Sequence, residues 1–145
     1  MLARRRKWSA LQQLFKANEG LEIKNKPGVY RIRAFTKQGK ARCIPRAGGV
    51  DREGILHIGE AKNLEARMQM FMRAATKGKA AHHAGREFLE WHFERLIPRE
   101  NLRVDFIETR TKEQAQRRER ALHIEYRKEF LDRPPLDSTS GHKRG

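Results

Sequence analysis

Trp8, Leu11 and Phe15 recur at i, i+3 and i+7, with Leu14 widening the stripe, and this spacing predicts a helix over residues 4–18. Pro27-Gly28 then punctuates the chain, and the period changes to two. Tyr30, Ile32 and Ala34 share one face of a predicted strand, and Val29, Arg31, Arg33 and Phe35 share the other. Residues 37–40 read as a turn, and residues 41–44 as a short edge strand halted by Pro45. Residues 46–54 read as a loop with a flexible Gly48-Gly49. The apolar run Ile55-Leu56-His57-Ile58-Gly59 predicts a buried strand. Asn63 is a good N-cap for the helix that follows, whose stripe is Leu64, Met68, Phe71 and Met72. Residues 76–85 are small and polar and read as a loop. A third helix is expected over residues 86–97, stopped by Pro98.

Leu102, Val104 and Phe106 alternate with Arg103 and Asp105, which predicts a half-buried strand. Thr111-Lys112-Glu113-Gln114 is a capping-box signature for the last helix, and Pro134-Pro135 ends the ordered chain. The predicted order is α-β-(β)-β-α-α-β-α. The fold class is therefore α+β, a small mixed or antiparallel β-sheet of about three strands flanked by helices. Residues 1–26 are expected to form a basic N-terminal helix and linker, 27–137 the principal domain, and 138–145 a flexible polar tail.

Charge narrows the class of partner. The 145 residues carry a formal charge of +15, from 33 Lys and Arg against 18 Asp and Glu. The first fifty residues alone hold thirteen basic and two acidic side chains. Such asymmetry points to a polyanion, with nucleic acid first and DNA foremost. The basic start of the chain, with Arg5 and Arg6, reads either as a phosphate contact or as a solvated helix tip. The single cysteine, Cys43, excludes an intramolecular disulfide, leaves too few thiols for a zinc ribbon, and fits a reducing compartment. No run approaches the roughly eighteen apolar residues of a membrane span. No apolar segment follows the basic start, so no secretory signal is expected, and the expected location is cytoplasmic or nucleoid-associated.

Five residues invite chemistry. On the last helix Ala115, Glu119, Leu122, Tyr126 and Phe130 share one face, which makes Glu119 core-facing. A carboxylate there calls either for a buried arginine partner or for a divalent cation. Tyr30 opens a strand and reads as packing or as a functional hydroxyl. His57, inside an apolar run, reads as a satisfied core histidine or as a general base. His82-His83 is too small a set for zinc. Beside Lys77 and Lys79 the pair reads as a phosphate contact or as solvated loop.

Taken together, these segments resemble the GIY-YIG nuclease family, in its stand-alone, single-domain form. Gly28-Val29-Tyr30 and His57-Ile58-Gly59 resemble the two halves of the family signature, with His57 in place of the second tyrosine. Residues 60–67 look like the segment that follows, which ends in the family's arginine, here Arg67. Residues 119–126, Phe130 and Pro134-Pro135-Leu136-Asp137 look like the C-terminal block, with Asp137 in place of an asparagine. Residues 81–86 resemble a loop of the restriction-enzyme-like branch. The likeness covers about residues 27–137.

The resemblance implies metal-dependent hydrolysis of phosphodiester bonds in DNA. Tyr30 would help activate the attacking water, and His57, standing in place of the second tyrosine, would either donate to phosphate or shuttle a proton. Arg67 would hold the scissile phosphate, and Glu119 would bind one Mg²⁺ or Mn²⁺. Arg5, Arg6, Lys62, Lys77, Lys79, His83 and Arg86 would contact the nucleic acid. Glu60 departs from the family, several members of which carry lysine there. The alternative is a nuclease fold retired to binding, as a nucleic-acid-binding subunit of a larger assembly. No separate recognition domain is expected. Sequence selectivity would come from residues 36–53 and 76–85, from a protein partner or homodimer, or from DNA form.

Overall fold

The structure is a computed structural model and describes residues 8–15, 22–23, 25–78 and 81–137. It is α+β. The strands are β1 (Gln12–Gln13), β2 (Gly28–Ala34), β3 (Ile44–Arg46), β4 (Gly49–Asp51), β5 (Ile55–Ala61) and β6 (Leu102–Glu108). The helices are α1 (Leu64–Lys77), α2 (His83–Glu90) and α3 (Lys112–Phe130). Four strands form one antiparallel sheet in the order β1-β6-β2-β5, and β3 and β4 form a separate hairpin.

The alternation of β2 divides the sheet into two faces. Tyr30, Ile32 and Ala34 stand opposite Phe106, Val104 and Leu102 of β6 and join the main core with Leu64, Met68, Phe71 and Phe88. On the other face Arg31 and Arg33 grip Asp105. Arg31 donates to Asp105 from Nε at 3.0 Å and from Nη2 at 2.6 Å, and Arg33 Nη1 adds a bond at 3.3 Å. The Trp8 ring lies 3.9 Å from the Arg31 guanidinium carbon. A second, smaller cluster of Ile55, Ile58, Tyr126 and Phe130 fastens α3 to β5.

A bulge in β5 makes this division possible. Ile32 pairs with His57 and Arg33 with Ile55, so Leu56 is the extra residue. Leu56 and His57 therefore both turn toward the main core, while Ile55 and Ile58 both meet α3. Unbroken alternation would have put Leu56 and Ile58 on one face.

Several expected elements are corrected. Residues 8–15 are not helical. The free edge of β6 captures them: Ser9 N–H donates to the Phe106 carbonyl at 2.9 Å, and Leu14 N–H to that of Leu102 at 3.1 Å. A helix there would leave the edge of β6 unpaired. Leu14 enters the core, whereas Leu11 is exposed. The rest of the expected helix over 4–18 lies outside the described residues. The edge strand starts at Ile44 rather than ending there, and Pro45 sits within it opposite Val50. Its partner β4 occupies part of the expected loop 46–54. The helix expected over residues 86–97 starts at His83 and ends at Glu90, followed by 3-10 turns at Phe93–Arg95 and Arg99–Asn101. Trp91 is exposed, so the aromatic stripe did not mark a longer buried face. The polar tail, residues 138–145, lies outside the described residues. Among the described residues no helix is long and apolar enough to cross a membrane.

Candidate active site

The site begins with Tyr30, near the start of the central strand β2. Gly59 stands opposite it on β5 and leaves room for the ring. A Cβ on Gly59 would come within 2.5 Å of Tyr30 Oη and 2.8 Å of His57 Nε2. The Tyr30 hydroxyl lies between two imidazoles, 3.0 Å from His57 Nε2 and 2.9 Å from His82 Nε2. Tyr30 is 1% exposed and His82 is fully buried. Burial pushes the Tyr30 phenol well above its ordinary value, and the Arg67 guanidinium opposes that rise.

His82 precedes α2 and caps it, its Nδ1 accepting from Gly85 N–H at 3.2 Å. The small residues around it allow this close fit. A Cβ on Gly85 would lie 2.8 Å from both the Ala74 side chain and the Phe71 carbonyl, so Gly85 lets α2 press against α1. Burial pushes the His82 imidazole down to about 2, with the charges of His57 and Arg67 acting in the same direction. His82 is thus neutral and internal, which corrects its reading as a phosphate contact or solvated loop residue. His is outside the usual capping set, so sequence rules did not single it out. The small residues Ala81, Ala84 and Gly85 around the pair were the available signal.

His57 turns its other nitrogen to Asp137. The Nδ1 to Oδ1 distance is 2.6 Å, and Asp137 Oδ2 accepts from Ile58 N–H at 3.1 Å. Strand β5 is an edge, so the outward groups of Ile58 need partners from side chains. Asp137 takes the N–H, and His123 Nε2 donates to the carbonyl at 3.0 Å. Burial pushes the His123 imidazole below its ordinary value. The C-terminal 3-10 turn Pro135–Asp137 thereby locks onto the same strand that supplies His57.

Glu119 lies at the rim of this cluster and is not deep in the core; its side chain is 32% exposed. Its ion-pair neighbour among the described residues is the His123 imidazole, Nε2 at 3.9 Å, and it has no arginine ion pair there. Burial first, then the Glu60 and Asp137 charges, push its carboxyl up to about 7. Glu60 is also raised by burial, opposed by Lys112 and Arg67, and its buried Oε1 has no hydrogen-bond partner. The Glu60 and Asp137 charges thus both bear on Glu119 at the edge of β5. Among the described residues no three His, Cys, Asp or Glu side chains form a ready-made metal cage. Hard cations such as Mg²⁺ need only one or two carboxylates with water, and the orphaned Glu60 oxygen and a Glu119 without an arginine ion pair fit such a donor set.

Arg67 comes from the second turn of α1, which Asn63 caps by accepting from Ala66 N–H at 3.1 Å. Its Nη1 donates to the Ala81 carbonyl at 3.1 Å, and its charge acts on Tyr30, Glu60 and His82. Tyr30, His57, Arg67 and Glu119 are therefore brought together, with His82, Asp137, Glu60 and His123 added. Lys62, Lys77 and Arg86 are exposed, and His83 is half-buried with Glu87 3.9 Å away. Arg5, Arg6 and Lys79 lie outside the described residues. Two cavities lie away from this cluster, one of about 770 Å³ beside Arg127, Leu131 and Arg133, the other of about 290 Å³ beside Phe88 and His92.

Comparison with protein-family models, with curated proteins and with solved structures finds no match.

Proposed function

We propose that this chain is a metal-dependent endonuclease of the GIY-YIG type that hydrolyses phosphodiester bonds in DNA. The observation that supports this reading most is the convergence on one edge of the sheet. Tyr30 from β2, His57 from β5, Arg67 from α1 and Glu119 from α3 act on one another, although they lie far apart in the chain. A structural Glu119 would be expected to pair with one of the many arginines. It faces Glu60 and Asp137 instead, an arrangement that raises its energy unless a cation binds.

In this reading Glu119 would hold one Mg²⁺ or Mn²⁺, with Glu60 adding negative charge beside it. Such a cation would supply Lewis-acid stabilisation of charge on a leaving oxygen. Arg67 presents a fork suited to two phosphate oxygens, and its hold on the Ala81 carbonyl fixes its direction. The basic surface provides affinity through release of counterions and requires no reading of base sequence. Incubation of the purified chain with supercoiled, linear, nicked and branched DNA tests the reading. Cleavage in Mg²⁺ or Mn²⁺, lost in excess chelator and in Glu119→Gln, is expected. Robust cleavage in chelator would sink the metal role.

One observation favours a second reading, a DNA-binding subunit without turnover. Tyr30 is buried, with its hydroxyl enclosed by two histidines. This reading predicts tight, salt-dependent binding and no cleavage with any divalent metal. Cleavage that falls with substitution of Tyr30 or Arg67 would reject it.

A further inference from the structure

We propose that hydrogen bonds arriving from both ends set a fixed direction through the buried cluster, so that the Tyr30 hydroxyl proton is directed to His57, with His82 and Asp137 as positioning residues. The direction follows from the two ends independently. At one end a backbone N–H can only donate, so Gly85 makes His82 Nδ1 an acceptor. A neutral imidazole carries one proton, which must then sit on His82 Nε2. That nitrogen is 2.9 Å from Tyr30 Oη and donates to it. The Tyr30 hydroxyl, already accepting from His82, has its own proton free for its other neighbour, His57 Nε2 at 3.0 Å.

At the other end Ile58 N–H donates to Asp137 Oδ2 and fixes the carboxylate. Asp137 Oδ1 lies 2.6 Å from His57 Nδ1. A carboxylate accepts, so His57 Nδ1 carries a proton, and in the neutral ring of this proposal His57 Nε2 is left as an acceptor. The two runs of hydrogen bonds meet at Tyr30 with the same direction. Every bond then has one donor and one acceptor. The low accessibility of Tyr30, His57 and His82 leaves little water to scramble the order. His82 is neutral for the same reason, burial having pushed its imidazole down to about 2.

The consequence is a tyrosine with a base on one side and a donor on the other. When the Tyr30 O–H bond breaks, the proton joins His57 Nε2 and the electron pair stays on Tyr30 Oη. The products are a phenolate and an imidazolium. The imidazolium keeps its Nδ1 proton, hydrogen-bonded to the Asp137 carboxylate, which carries the balancing charge. The phenolate keeps the His82 Nε2 hydrogen bond and the nearby Arg67 charge. This deepens the nuclease reading and rests on it in one respect only: there, the phenolate is the group that takes a proton from the attacking water. The residue in the place of the family's second tyrosine then serves as the proton acceptor of the first. The tautomers themselves do not depend on that reading.

Nitrogen-15 NMR of the imidazole rings in the full-length chain tests the proposal directly, with ring signals assigned through carbon correlations to the backbone. The expected result is opposite tautomers in adjacent rings, His82 protonated on Nε2 and His57 on Nδ1, with the His57 Nδ1 proton shifted far downfield by Asp137. Asp137→Asn should abolish that downfield proton and allow His57 to take the Nε2-protonated form, because an amide can donate where the carboxylate could only accept. A triad aspartate replaced by asparagine loses activity through this tautomer error, by about 10⁴-fold in the best-studied protease, so a fall of at least about 10²-fold in cleavage is expected here. Tyr30→Phe should leave both tautomers unchanged, since they are set from Gly85 and Asp137. A His57 ring protonated on Nε2 in the unsubstituted chain, or a His82 ring protonated on Nδ1, would overturn the proposal. If the tautomers are as stated and no cleavage occurs, the proton chain stands and the nuclease reading falls.

Discussion

Tyr30 and Gly59 face each other across β2 and β5, and the absence of a side chain at Gly59 is what lets the tyrosine reach two histidines. A methyl group on Gly59 would occupy the space of Tyr30 Oη and of the neighbouring ring carbon, at 2.5 and 2.6 Å. Neither the central strand nor the buried ring can yield cheaply. Gly59→Ala is therefore expected to cost about 1–3 kcal/mol by overpacking and to separate Tyr30 from His57. Urea unfolding measures the first effect, and the His57 ring NMR signals report the second. An alanine variant of unchanged stability, with unchanged His57 signals, would show that the contact is not tight.

Asp105 carries a different burden, since it is a buried carboxylate shared by two arginines. Its removal leaves Arg31 without its main partner inside the fold. Asp105→Ala should cost about 3–5 kcal/mol, the usual penalty for an uncompensated buried charge. The double variant Asp105→Leu with Arg31→Met should recover most of that loss, because it removes both charges together. A double variant as unstable as the single one would show that packing and not charge governs this face. Denaturant melts of the three proteins decide between the two.

On the nuclease reading, Arg67 acts mainly after DNA has bound. Arg67→Ala should lower the cleavage rate by about 10²–10³-fold, the scale of losing one preorganised donor to developing charge. The Kd for DNA should change far less. Arg67→Lys should recover only part of the rate, because an ammonium group lacks the fork that can meet two phosphate oxygens. Single-turnover kinetics with saturating protein separate the rate from the affinity. A loss confined to affinity would move Arg67 from the reacting phosphate to the general basic surface.

The regular elements were legible where a local pattern and the tertiary demand coincide. The alternation of Leu102, Val104 and Phe106 marks β6, Asn63 caps α1 and Thr111 caps α3. The N-terminal stripe of Trp8, Leu11 and Phe15 misled because its spacing is helical, while the open edge of β6 offers hydrogen bonds that a helix cannot use. Within the site, Tyr30, His57, Arg67 and Glu119 stood out one by one. Their connections did not. The link from His57 to Asp137 spans distant parts of the chain, and the Leu56 bulge that turns His57 inward leaves no trace in a count of alternating positions. His82 was hidden for another reason, as it combines a helix cap and a tyrosine contact, neither of which a histidine pair in a polar segment announces.

The exposed cations Lys62, Lys77 and Arg86 offer a simpler measurement. If each meets one phosphate, its replacement by alanine lowers the steepness of log K against log salt by about 0.9. It should weaken binding to unrelated duplexes to the same extent. Fluorescence anisotropy over a salt series, on two duplexes of different sequence, reads both. An unchanged slope places that residue outside the DNA path.

On the nuclease reading Glu119 would join stability to metal binding, and the sign of its effect on stability follows from its environment. Burial and the neighbouring carboxylates raise it from the ordinary 4.5 to about 7. Between those values the folded chain holds a proton that the unfolded chain has released. Stability from this group is therefore intact below about pH 4.5, falls as pH rises through the window, and is lowest above about pH 7. Allowing for the partial exposure of the side chain, the loss is about 1–2 kcal/mol. In excess chelator, Glu119→Gln should flatten this part of the pH profile and be relatively more stable at neutral pH than at pH about 5. A divalent cation bound by Glu119 favours the ionised carboxylate, so Mn²⁺ should restore stability at neutral pH, have little effect near pH 5, and do neither in Glu119→Gln. Urea melts of both proteins at the two pH values, with Mn²⁺ or chelator, separate two causes that activity alone would confound. A slope lost in Glu119→Gln without any Mn²⁺ effect leaves a buried acid with no metal. A slope shared by both proteins would show that another group governs this window.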